Sequence, residues 1–144
     1  MGEAESPRKQ RVRAAWAASW DRGNVDALDD LLTPDYARSS PSGQDQDRAW
    51  FKRSILDTRQ AFPDLTTTVA ELVEEGDRMA IRWCSTGTHT NTFLDVPPTG
   101  RRVEVPGVSF ARFAGERIEA EWVTWDPRQL LTALGIISLG EGNW

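Results

Sequence analysis

An α+β fold, with helices packed on one face of an antiparallel sheet, is what the order of hydrophobic periods predicts. Apolar residues recur at helical spacing as far as Phe62, and beyond Pro63 they alternate with polar ones in the period of a strand. The chain has 144 residues, 39% of them hydrophobic, which suits one core, and no linker, repeat or low-complexity tract divides it. One domain spanning 1–144 is expected.

The first helix begins at Ser6-Pro7, a hydroxyl cap followed by the residue best tolerated at a first helical position. Val12, Trp16 and Trp20 then recur every fourth residue up to Gly23. Asn24 caps a second, short helix carrying Val25, Leu28, Leu31 and Leu32, which Pro34 ends. Tyr36 to Gln44 reads as a loop or short edge strand. The third helix fits Asp45 to Phe62, with Trp50, Phe51, Ile55 and Leu56 near one face and Pro63 as its stop.

Leu65 to Glu75 is rich in Thr and Val and reads as a strand, Gly76-Asp77 as a turn, and Met79, Ile81 and Trp83 as the inward residues of a second strand. Thr90 to Gly100, with Pro97-Pro98, is an excursion. Val103 to Phe113, open to interruption at Pro106-Gly107, and Arg117 to Trp125 supply the remaining strands, joined at Ala114-Gly115. Pro127 opens a last helical turn through Leu130, Leu131 and Leu134, stopped by Gly135. The last strand carries bulk on both faces, with Ile118, Ala120 and Trp122 on one and Val123 and Trp125 on the other. A sheet apolar on both sides needs a second cover, and another subunit is the most economical one, so a homodimer is expected.

Composition excludes several functions. A net charge of −5 argues against a nucleic-acid partner, which needs a concentrated basic surface, and the short run Arg8 to Arg13 reads as a solvated helix face. No stretch of about 18 apolar residues exists to enter a membrane, and Met1 to Gln10 has no apolar signal segment, so a cytoplasmic protein is expected. Cys84 and His89 are the only residues of their kinds. That rules out an internal disulfide, a cysteine-based metal cluster and a multi-histidine metal centre, and with no second group to activate it Cys84 reads as an inert thiol. No Gly-rich dinucleotide fingerprint or haem-attachment motif is present, so no cofactor is expected.

Three segments together resemble the SnoaL-like small polyketide cyclases. They are Gly87-Thr-His-Thr-Asn-Thr-Phe-Leu-Asp-Val-Pro-Pro-Thr-Gly-Arg-Arg-Val103, then Gly107-Val-Ser-Phe-Ala-Arg-Phe113, then Glu121-Trp-Val-Thr-Trp-Asp126 with Leu130-Leu131 and Leu134-Gly135. Trp20 to Tyr36 also fits that family's helix, Gly-Asn turn and Pro-Asp-Tyr entry. The resemblance implies a fold similar to nuclear transport factor 2, in which a curved sheet wraps a cone closed by three N-terminal helices around an internal pocket. It also implies a flat aromatic polyketide as substrate. Family cyclases close a ring by an intramolecular aldol reaction, using an aspartate three residues before the one that matches Asp126. Here that position is Val123.

Aldol closure needs a base for the carbon acid and an acid for the alkoxide, and valine is neither. Three groups could take the role. Glu121 lies two residues from Val123, on the same strand face, or is a structural ion-pair partner. Asp126 stands at the strand end, where it either points to the pocket mouth or caps the next helix. His89 shares the parity of Met79, Ile81 and Trp83 and matches a family histidine, although a lone histidine also serves as a hydrogen-bonded structural group. Trp16, Trp20, Trp50 and Trp125 are the expected aromatic walls, with Tyr36, Arg38, Ser109 and Val123 as further substrate contacts. Arg38 suits a carboxylate or phenolate, and Trp122 belongs to the opposite face or an interface. The first functional reading is hydroxylation of a reduced, electron-rich ring by dioxygen, served by a separate reductase. The others are an aldol cyclase that relies on Glu121 or His89, and a binding member without chemistry.

Overall fold

The computed structural model describes residues 5–41, 43 and 45–136. The outermost parts of the expected 1–144 domain, and Gln44 at the end of the expected loop, lie outside them. Five strands form one curved, unclosed sheet in the order β1-β5-β4-β3-β2. They are β1 (Leu32–Ser39), β2 (Thr66–Glu75), β3 (Arg78–Thr88), β4 (Arg102–Ala114) and β5 (Arg117–Trp125). The helices α1 (Pro7–Trp16) and α2 (Arg48–Ala61) pack on its inner face, and α3 (Pro127–Ala133) follows β5.

Side-chain caps start each helix. Ser6 Oγ accepts the Lys9 N–H, Asp47 Oδ1 accepts that of Trp50 at 2.7 Å, and Asp126 Oδ1 accepts that of Arg128 at 2.9 Å. The first helix does not stay α-helical to Gly23. After Trp16 it widens into a π-helical turn over Ala17–Asp21, whose end is held by Arg59 of α2 donating to the carbonyls of Trp20 and Asp21 at 2.7 and 2.9 Å. Leu56 of α2 is exposed, so the apolar face of that helix is narrower than its sequence suggests.

The expected second helix is only a 3-10 turn, Val25–Asp30. Leu32 and Pro34 belong instead to β1, an edge strand that runs parallel to β5 and makes the sheet mixed rather than wholly antiparallel. Between Leu32↔Ile118 and Ala37↔Ala120 the register slips, so the missing N–H of Pro34 falls where the pairing is already broken. β4 is continuous through Pro106-Gly107; its pairing with β5 reaches Gly107, opposite Trp125, and stops short of Pro106. A second irregularity, between Arg112 and Phe113, leaves Glu119 of β5 unpaired. That extra residue reverses the expected facing of Ile118, which is fully buried in the core, while Ala120 and Trp122 keep the outer face.

Two apolar clusters fill the inside. One, around Leu28, Tyr36, Phe51, Ile55, Met79, Ile81 and Ile118, joins α1 and α2 to the sheet. The other, around Phe62, Leu65, Val103, Val105 and Leu130, lies under α3. Trp20 packs against both.

Candidate active site

A cavity of about 440 Å³ opens between the two clusters, a size typical of small-molecule sites. Alternation along β3, β4 and β5 turns Trp83, Val103, Val105, Val123 and Trp125 into it. From the helices come Trp16, Trp20, Trp50 and Phe51, and the excursion between β3 and β4 adds Phe93 and Leu94. Leu94 and Asp95 hold positive φ (49° and 64°), an uncommon backbone for residues with side chains, in a tight turn closed by reciprocal hydrogen bonds between Phe93 and Val96. Hydroxyl residues line it as well: Thr67 and Ser85, whose oxygens lie 2.8 Å apart, with Thr86, Ser40, and Ser54 and Thr58 of α2.

Three charged residues line the cavity: Arg53 and Asp57 of α2, and Arg38, which is carried by β1 and has the best-defined partners. Arg38 Nη1 donates to Glu121 Oε1 at 3.0 Å, and its guanidinium lies 4.0 Å from the centre of the Phe51 ring. Tyr36, two residues earlier on β1, donates its hydroxyl to the same Glu121 oxygen at 2.5 Å. Glu121 is 1% exposed, and its other oxygen is buried without a hydrogen-bond partner. Burial first, then the facing carboxylate, pushes the Tyr36 phenol well above its usual range. Burial acts to lower Arg38, but Glu121 and Tyr36 outweigh it and hold the guanidinium more firmly protonated than usual. The trio is therefore a neutral phenol, a carboxylate and a fixed cation, of which only Arg38 lines the cavity.

The residues singled out in the sequence divide accordingly. Trp16, Trp20, Arg38, Trp50, Val123 and Trp125 line the cavity, Trp50 at its exposed rim. Tyr36 and Glu121 stand one layer behind, joined to the wall through Arg38. Ser109 is fully buried beneath it, where its Oγ accepts the Trp83 indole N–H at 3.2 Å. Asp126 is exposed and caps α3.

His89 is fully buried but does not line the cavity; its ring stacks on Phe62, which does, at 5.3 Å. Its Nδ1 accepts the Thr99 N–H at 3.2 Å, which puts the ring proton on Nε2, a buried atom without a partner. Sequence reasoning missed Trp83, Phe51 and Phe62 as walls. The parity of Trp83 with Met79 and Ile81 was a usable signal, whereas nothing local marks Phe62, at the end of α2, as a cavity residue.

Cys84 lies on the outer side of β3 with its thiol 3.5 Å from Glu104, and burial raises it above the usual thiol range. Among the described residues no group of three or more His, Cys, Asp or Glu converges as a metal site, and no helix is long and apolar enough to cross a membrane.

The fold is shared with solved structures. AclR of Streptomyces galilaeus, described as a candidate hydroxylase, is 30% identical over 91% of this chain and 97% of its own, with a TM-score of 0.80. IdmH of Streptomyces antibioticus, described as a candidate polyketide cyclase, is 30% identical over 91% of this chain and 99% of its own, with a TM-score of 0.79. TsrD of Streptomyces laurentii, at 24% identity over 94% of this chain and 100% of its own and a TM-score of 0.83, shares the fold. No curated protein sequence matches the chain. The family model described as SnoaL-like polyketide cyclase matches residues 10–134. With that match over most of its length, and with the nuclear transport factor 2-like fold, the chain belongs to the SnoaL-like polyketide cyclase family.

Proposed function

We propose that this protein tailors an aromatic, anthracycline-type polyketide by hydroxylating a reduced ring with dioxygen and no cofactor of its own. The observation that carries the reading is Val123. It lines the cavity at the position where the resemblance to the cyclases calls for an aspartate, between Glu121 and Trp125 on β5. A hydroquinone needs little from the protein. Ionised, it is electron-rich enough to react with dioxygen, one oxygen atom becoming the new ring hydroxyl. The two electrons that turn hydroquinone into quinone reduce the other atom to water, so the balance closes with a hydroxyquinone and one water. Arg38, kept cationic by Glu121, would hold the phenolate oxygen, and the tryptophan walls would exclude water from the radical or carbanionic stage. A separate reductase would supply the hydroquinone.

A second reading, an aldol cyclase, is favoured by one feature: Glu121 has a buried oxygen that no donor occupies. That carboxyl is screened from the cavity by Arg38, so it would act only after the side chains rearranged. The decisive comparison supplies chemically reduced anthracycline-type substrates with and without oxygen, followed by mass spectrometry. Oxygen-dependent gain of one oxygen atom is expected. Ring closure of an open methyl-ester precursor under anaerobic conditions would establish the cyclase instead, and tight binding with no product in either case would favour a binding protein.

We also infer that two copies pair through the outer face of the sheet. Val108, Phe110 and Trp122 are 45%, 41% and 41% exposed there, beside ion pairs of both signs, Arg112–Glu119 and Arg82–Glu71. Light scattering is expected to give the mass of a dimer, and Trp122→Glu that of a monomer; a monomeric parent protein would overturn the inference.

A further inference from the structure

We propose that Gly107, a residue outside the cavity wall, determines the length of ring system the cavity accepts, by giving Trp83 a place to lie flat. Gly107 pairs with Trp83 of β3 on one side and Trp125 of β5 on the other. A Cβ placed on Gly107 would fall 2.2, 2.4 and 2.7 Å from three carbons of the Trp83 six-membered ring, where carbon atoms need about 3.5 Å. The indole therefore occupies the volume that any side chain at 107 would take.

Conformation does not explain this glycine, because the glycines with positive φ are others and Gly107 has an ordinary strand backbone. A glycine inside a strand weakens it and characteristically marks a close approach. The second tie is Ser109, whose Oγ holds the Trp83 N–H at 3.2 Å and so fixes the indole along the inner face of β4. With that donor engaged, Trp83 offers the cavity an apolar surface, as Val123 and Trp125 of β5 also do. A methyl group at 107 would lift the indole off β4 and into the space where a fused-ring substrate extends.

The inference rests on the cavity's being a site for flat fused-ring ligands. Its test uses 5-hydroxy-1,4-naphthoquinone (two rings) and 1,4-dihydroxyanthraquinone (three rings), with affinities read by calorimetry. In Gly107→Ala the three-ring probe is expected to lose about tenfold or more in affinity while the two-ring probe changes by less than about threefold. Gly107→Ala/Trp83→Leu is expected to restore the three-ring probe.

Equal losses for both probes, or none, would overturn the proposal. Should Gly107→Ala not fold, Trp83→Leu alone decides the question: it is expected to raise affinity for four-ring 6,11-dihydroxy-5,12-naphthacenequinone relative to the three-ring probe, and an unchanged preference would refute it. If the parent protein binds no quinone, the functional reading fails by itself. A crystal structure of Gly107→Ala then still tests the steric claim, which an unmoved Trp83 ring would sink.

Discussion

Two buried polar groups, Glu121 and His89, show how differently one fold can treat residues that look equally chemical. Glu121 is held by a cation and a phenol, and the cation reaches the cavity; His89 is held by the main chain and hydroxyl of Thr99 and stacks on Phe62. Both leave one polar atom buried without a partner. The difference lies in what connects them to the cavity. Glu121 has Arg38 as a charged intermediary, and His89 has an aromatic ring that transmits neither charge nor proton. Burial of a titratable group is therefore a weaker guide to chemistry than the polarity of the layer that covers it.

The comparison can be broken most forcefully at Glu121. Glu121→Leu leaves the Arg38 guanidinium buried and uncompensated, and a loss of about 3–5 kcal/mol is expected in denaturant unfolding. Glu121→Gln keeps the shape and most hydrogen bonds, so it should fold, and with its counter-ion gone Arg38 should bind an anionic ring more tightly. His89→Phe removes only hydrogen bonds with Thr99, and about 1–2 kcal/mol is expected, with turnover retained. Abolished turnover in a folded His89→Phe protein would reverse the assignment and put His89 in the chemistry.

Tyr36→Phe should cost about 1.5–3 kcal/mol, because the lost bond is to a charged acceptor. It has a signature in pH as well. Tyr36 ionises less readily folded than unfolded, so its contribution is complete below the unfolded value of about 10 and is lost as pH rises toward the higher folded value. Tyr36→Phe should flatten that alkaline limb.

Near His89 the dependence runs the opposite way. Asp64 accepts the Thr88 N–H at 2.7 Å and its hydroxyl at 2.8 Å, and these bonds lower its carboxyl. Its contribution is present above the unfolded value of about 4 and is lost as pH falls toward the lower folded value. Asp64→Asn should flatten the acid limb of melting temperature against pH and leave the alkaline limb alone; because Asp64 is exposed, this is the smallest effect expected.

Much of this arrangement was legible in the chain. The change of period at Pro63 marked the border between helices and most of the sheet, and alternation along β5 placed Glu121 and Val123 on one face. What escaped were features set by distant partners. Pro34 looks like a helix stop, and only pairing with β5 makes its segment a strand. The unpaired Glu119 reverses the parity of Ile118, and no local residue signals it. His89 kept the inward parity of β3, but it lies just past the end of that strand, where parity no longer tells what covers a side chain.

The parallel pairing of β1 with β5 bears on when the site can exist during folding. Tyr36 and Glu121 are 85 residues apart in the chain, and Arg38 and Glu121 meet across 83. Contacts of such long range close late, since the intervening chain must lose its freedom before they form. A nascent chain that has not yet released β5 from the ribosome has α1 and α2, but it lacks α3, the counter-ion for Arg38 and the Val123 wall. Ligand-binding competence should therefore appear in one step with completion of the sheet, and a ligand added during refolding can stabilise only chains that have already joined their first strand to their last.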